Sequence, residues 1–201
     1  MQYKIKATFQ EDLLGTVPLN KEIYTDHIAT KKQDISGEAL KQELSTVMEK
    51  LDEKGKTGFH RMEDGTPIIY DYVIRGFMKD ACGMMRRVEG SESKKLTAYK
   101  RVIDGLVFVM QRKIEINVNG EVGTLERPLR AQTAQGERVA LAYSESIPAG
   151  SSIEFTLMVL DDKAVSFALI EEWLTYGSLR GLGQWRNASY GRFGYEITPI
   201  A

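Results

Sequence analysis

Tyr3, Ile5, Ala7 and Phe9 alternate with Lys4, Lys6, Thr8 and Gln10. A period of two predicts an opening strand with one buried face. Pro18 then breaks the pattern, and Asn20 is placed to cap a short helix through Ile23, Tyr24 and Ile28. A longer helix is predicted from about Ser36 to Lys54. Its stripe is Leu40, Leu44, Val47, Met48 and Leu51, and Gly55 stops it. Phe59-His60-Arg61-Met62 and Pro67-Ile68-Ile69-Tyr70 flank Asp64-Gly65, a hairpin signal. Asp71 to Val88 reads as a helix, with Phe77, Ala81, Met84, Met85 and Val88 at helical spacing. The methionines and Cys82 in it read as core filler, and Gly76 and Gly83 as points of close packing.

The second half is richer in strands. Glu89 to Lys95 is a polar loop, and Gly105 to Met110 reads as a strand. Ile114 to Val118 alternates, and Asn119-Gly120 is a turn signal. Arg127 to Gly136 reads as a loop. Val139–Tyr143 and Ile153–Leu160 read as strands joined by Pro148-Ala149-Gly150. Ala164 to Tyr176 is a helix with Phe167, Leu169, Ile170, Trp173 and Leu174 on its core side. A glycine-rich run and a last strand, Tyr195-Glu196-Ile197, complete the chain. Hairpins and helices on one antiparallel sheet make an α+β fold with a ferredoxin-like core, β-hairpin elaborations and a partly helical insertion over 16–58. The 201 residues fit a single domain, 1–201.

Net charge is −1, so no global excess of cations points to a polyanion. The charges come in blocks. Residues 75–130 hold twelve Lys/Arg against seven Asp/Glu, and 131–176 hold two against seven. A fold that joins 75–130 to the basic C-terminal stretch makes a basic face. The single cysteine, Cys82, allows no intrachain disulfide. With no apolar leader pattern and no run of membrane-spanning length, the expected location is the cytoplasm of a bacterial host, with no membrane partner.

Gly177 to Gly194 concentrates the chemistry. These eighteen residues hold five glycines, three arginines and three aromatics. Glycine lets backbone approach a ligand. Arginine suits phosphates, and aromatic rings suit flat bases. The competing reading is a connection whose arginines face solvent and whose Trp185 anchors it to the core.

Four stretches, in order, resemble the repeat-associated (RAMP) superfamily of CRISPR systems, nearest to the backbone subunits that assemble along the guide RNA. They are the strand ending at Phe9 with its exit to Gly15-Thr16; Gly65-Thr66-Pro67-Ile68-Ile69-Tyr70 leading to Ile74-Arg75-Gly76-Phe77-Met78-Lys79-Asp80; Ile147-Pro148-Ala149-Gly150-Ser151-Ser152; and Gly183 to Phe193. The chain also resembles an uncharacterised family of phage and prophage proteins of Firmicutes. The first resemblance implies an RRM-like sheet, a basic groove and contact with single-stranded RNA, or DNA. It also implies self-association into an oligomer or filament. The residues expected to bind are Lys79, Arg86, Arg87, Arg180, Gln184, Trp185, Arg186, Asn187, Tyr190 and Arg192. The chain departs from the family pattern in three places. Arg75 stands for a proline and Phe77-Met78 for a serine pair. The insertion is shorter than a typical thumb. Where cleaving subunits carry an aspartate, this chain reads Lys56-Thr57-Gly58. Cleavage of that kind is not expected.

Other chemistry is sparse. His27 and His60 have no cysteine or second histidine at ligand spacing, so neither a metal nor a cofactor is expected. His60 is the candidate base if the protein is an RNA-processing enzyme. No nucleophile elbow or Walker loop occurs. Asp161-Asp162 and Glu171-Glu172 read as solvated faces. The expected function is therefore non-catalytic binding of single-stranded nucleic acid. The alternatives are an anti-defence protein that mimics or binds a CRISPR effector subunit, an RNA-processing enzyme, and a binder of a nucleotide signal.

Overall fold

A computed structural model describes residues 1–19, 56–133, 136–161 and 163–200, with 128–142 described by their backbone pairing. The helices read at Asn20–Ile28 and Ser36–Lys54, and His27, lie outside the described residues.

The core is an antiparallel sheet with helices on one face. Its centre is β1 (Gln2–Phe9) beside β11 (Ser152–Val159), paired from Gln2↔Met158 to Thr8↔Ser152. β1 alternates strictly, and β11 does so from Ile153 onward. Tyr3, Ile5, Ala7 and Phe9 are buried with Ile153, Phe155, Leu157 and Val159. The last strand, β12 (Phe193–Ile200), flanks β1, and β8 (Lys113–Asn117) flanks β11. β5 (His60–Arg61) and β6 (Pro67–Tyr70) form the expected hairpin beyond β8. Helix α1 (Asp71–Met85) follows β6, and α3 (Phe167–Arg180) connects β11 to β12. The unit β1-α1-β8-β11-α3-β12, with strands side by side as β12-β1-β11-β8, is a ferredoxin-like core in an α+β fold.

A second sheet joins β2 (Leu13–Leu14), β3 (Val17–Pro18) and β4 (Lys56–Gly58) to a long hairpin of β9 (Gly123–Thr133) and β10 (Gly136–Ile147). β10 pairs with β9 from Gly136↔Thr133 to Ser146↔Gly123, and runs parallel to β4. Strand β9 replaces the loop expected over Arg127–Gly136. Proline removes a ladder donor, which reads as a break. β9 pairs with β10 and has no second strand partner among the described residues, so Pro128 costs little there.

Three further expectations change. Tyr99–Leu106 is a helix, α2, and Val107–Val109 alone is strand, β7, so the strand read from Gly105 begins two residues later. α1 buries Ile74, Phe77, Met78, Ala81 and Cys82, whereas Met84, in its last turn, and Val88, past its end at Met85, are exposed. Gly76 faces open space. Gly83 lies against the Tyr99 hydroxyl, and the tight helix contact is at Gly177, where an added Cβ would stand 2.1 Å from the Phe77 ring.

Glu172 is not on a solvated face. Its carboxylate accepts from the backbone N–H of Glu92 (2.7 Å) and Ser93 (3.0 Å) and from the Ser93 hydroxyl. That hydroxyl in turn accepts from Trp173 Nε1 at 2.9 Å. A fully buried tryptophan is thereby satisfied by a side chain from the α1–α2 connection.

Candidate nucleic-acid interface

α3 runs further than its apolar pattern, so Gly177 to Arg180 are its last turn. Gly181, at φ +81°, breaks it. The loop from Leu182 to Arg192 then folds back on the end of β1. Leu182 and Gly191 are tied by an N–H to carbonyl bond of 3.0 Å. The N–H of Gly191 donates to Asp12, and that of Gln184 to Leu14. An added Cβ on Gly191, at φ +69°, would meet the Leu182 carbonyl oxygen at 2.0 Å. Glycine is required there because the two loop strands touch through backbone.

Each expected binding residue has a definite place. Arg186 donates to Asp80 on α1 at 2.9 Å and joins the loop to that helix. Arg180 holds Asn187, and Arg192 donates from Nε to the Leu179 carbonyl at 3.0 Å. The Gln184 carbonyl oxygen accepts from the Thr57 hydroxyl at 3.1 Å. Trp185 and Tyr190 are half-buried and meet edge to face, with ring centres 6.2 Å apart. Trp185 is at φ +50°, so its backbone is held in a left-handed turn.

The helix cations sit elsewhere. Lys79 pairs with Asp104 on α2, and the Arg86 guanidinium lies 5.2 Å from the Tyr99 ring centre. Arg87 is exposed in the turn after α1. The loop therefore gathers Arg180, Arg186, Arg192, Trp185 and Tyr190. Lys79 and Arg86 engage α2.

Two groups escaped the sequence reading. Arg127, read as part of a loop, stands over Tyr190 with its guanidinium 5.5 Å from the ring centre. The hairpin thus delivers a fourth arginine to the glycine run. The second group surrounds the start of α1. Tyr70 and Tyr72 stack at 5.5 Å, and Arg112 stands 5.1 and 5.6 Å from their centres. Asp71 links Arg75 and Arg112. His60 is buried, with Nε2 3.4 Å from the Tyr72 hydroxyl and its ring in a T-shaped pair with Tyr70, centres 4.7 Å apart. The dense aromatic spacing His60, Tyr70, Tyr72 was the available signal. Among the described residues no group of three or more His, Cys, Asp or Glu side chains is placed to hold a metal ion.

The fold is shared with chains of CRISPR complexes. A chain of a Type IV-B CRISPR complex superposes with a TM-score of 0.52 at 12% identity, over 100% of this chain and 92% of that one. A chain of the Type III-B Cmr-beta complex bound to cognate target RNA superposes with a TM-score of 0.56 at 11% identity. It matches 100% of this chain and 61% of its own length. At such identities the likeness is one of fold. No family model and no curated protein matches the chain, and the likeness to a phage family finds no counterpart in these comparisons. No helix among the described residues is long and apolar enough to cross a membrane.

Proposed function

We propose that the protein binds single-stranded nucleic acid, RNA foremost, through the glycine-rich loop, without cleaving it. The observation that carries this reading is that one glycine-rich segment carries Arg180, Arg186, Arg192 and the edge-to-face pair Trp185–Tyr190, with Arg127 of the hairpin standing over Tyr190. Each guanidinium carries five N–H donors. Arg180 and Arg186 each spend one on a side-chain oxygen and Arg192 one on a backbone carbonyl, which leaves donors for phosphate. The rings supply a surface on which a base stacks for about 1–3 kcal/mol. The shared fold with a chain from a complex bound to target RNA supports the same reading.

The test is a filter-binding titration with single-stranded RNA and DNA at two salt concentrations. Contacts to phosphate release counterions, so affinity is expected to fall steeply with salt. An affinity indifferent to salt, or no binding, overturns the proposal.

A second reading is membership in, or mimicry of, a multisubunit CRISPR complex. The match over 92% of a Type IV-B complex chain favours it. Co-purification from a host that encodes such a complex tests it, and recovery of nucleic acid without any subunit counts against it.

A further inference from the structure

The open face of the core sheet holds a cleft that the glycine-rich loop does not explain. Its origin is a slip in register. β8 pairs with β11 at Ser152↔Asn117 and Ile153↔Ile116. Continued without interruption, that ladder would set Leu157 against Arg112. Leu157 instead faces Val109 on β7, so three extra residues are taken up between the two pairings. Gln111 spans the interruption. Its carbonyl oxygen accepts from the Thr156 N–H at 2.8 Å, and its amide donates to the Thr156 hydroxyl at 3.3 Å. A side chain thus replaces ladder bonds, and the strands part beside it. Bulges of this kind recur next to functional sites.

The result is a cleft of about 660 Å³, a size that suits a small organic ligand. Lys113, Glu115, Asn117 and Glu154 line it, with Thr66 and Pro67 at its rim. These four side chains are exposed on the face opposite the helices. Lys113 in the lining and Lys4, which bridges Glu154 at 2.9 Å, offset the charge of the two carboxylates. Those carboxylates accept hydrogen bonds from exocyclic amino groups, and the Asn117 amide both donates and accepts. Glu154 stays charged, because a hydrogen bond from Lys4 and that lysine's charge hold its carboxyl below the usual range. Beyond Gln111 the same face turns apolar, with Phe108 and Met110 exposed.

One row of the sheet links the cleft to the loop. Asn117, Ser152, Thr8 and Gly194 lie side by side across β8, β11, β1 and β12. Three interstrand steps of ~4.8 Å put Asn117 about 14 Å from Gly194, two residues past Arg192. We infer that a strand held at the loop, whose Arg186 bonds Asp80 on the helix side, rounds this end of the sheet and seats one base in the cleft on the open face. The carboxylates there select bases that carry an amino group, such as cytosine or adenine, over uracil. The inference rests on the strand-binding reading and adds base selectivity to it.

Fluorescence anisotropy with labelled oligo-C and oligo-U RNAs of equal length tests it. The wild-type chain is expected to prefer oligo-C by about tenfold, the scale of one good base-edge contact. Glu115→Ala and Asn117→Ala are expected to abolish the preference while keeping the affinity for oligo-U. Arg192→Ala is expected to weaken both RNAs alike. Equal wild-type affinities, or a preference that survives both cleft substitutions, overturn the base cleft and leave strand binding standing. Absence of binding to either RNA overturns both.

Discussion

Gly76 and Gly177 are both helical glycines, and their surroundings give them opposite roles. At Gly76 an added methyl group meets nothing within 4 Å. There the glycine only widens the unfolded ensemble, so Gly76→Ala is expected to raise stability by about 0.5–1 kcal/mol. At Gly177 the same methyl group would stand 2.1 Å from the Phe77 ring, itself edge-on to Phe193. Gly177→Ala forces α1 and α3 apart and is expected to cost about 1–3 kcal/mol. Urea unfolding of the two variants checks both signs. Equal shifts would mean that the helices do not pack through this glycine.

The loop and α1 meet through one charged pair, and that pair separates a binding role from a structural one. Arg186 and Asp80 are each partly exposed, so the bridge itself contributes little to stability. If Arg186 contacts phosphate, Arg186→Ala weakens all sequences alike and lowers the magnitude of the salt slope by about one. Asp80→Asn removes a neighbouring negative charge and is expected to tighten binding. Titrations against salt check this. Loss of affinity in both variants would mean that the pair positions the loop. Much of this element was legible in the chain. The glycine and arginine spacing marked the run, and Tyr3 to Phe9 and Ile153 to Val159 gave the central strands through strict alternation. The rest was hidden for physical reasons. Pro128 disguised β9, and with it the approach of Arg127 to Tyr190. The cleft depends on a register offset between β7 and β8, which comes from pairing with a third strand. No local pattern in Gln111 to Asn117 encodes that offset.

At the scale of the whole molecule, the two sheets share one core. Leu13 of β2 and Ile147 of β10 belong to the second sheet, yet both are buried in the cluster that contains Ile5, Phe155 and Trp173. β10 continues through the Pro148–Gly150 turn into β11, where the Ser151 hydroxyl donates to the Pro148 carbonyl at 2.7 Å. The N-terminal strand is sealed on one side by the C-terminal strand, from Gln2↔Ile200 to Phe9↔Phe193. A break in either sheet therefore opens the common core, and the chain is expected to unfold as one cooperative unit. Three reporters test this. Trp173 lies in the core and Trp185 in the loop, so Trp→Phe variants at each position isolate the fluorescence of the other. Cys82 is fully buried, and that burial pushes its thiol above the ordinary value, so alkylation must wait for unfolding. The two tryptophan signals, far-UV circular dichroism and Cys82 alkylation are expected to share one urea midpoint. An earlier transition for Trp185 alone would show that the glycine-rich loop detaches before the core opens. The loop would then be an appendage ordered by its ligand.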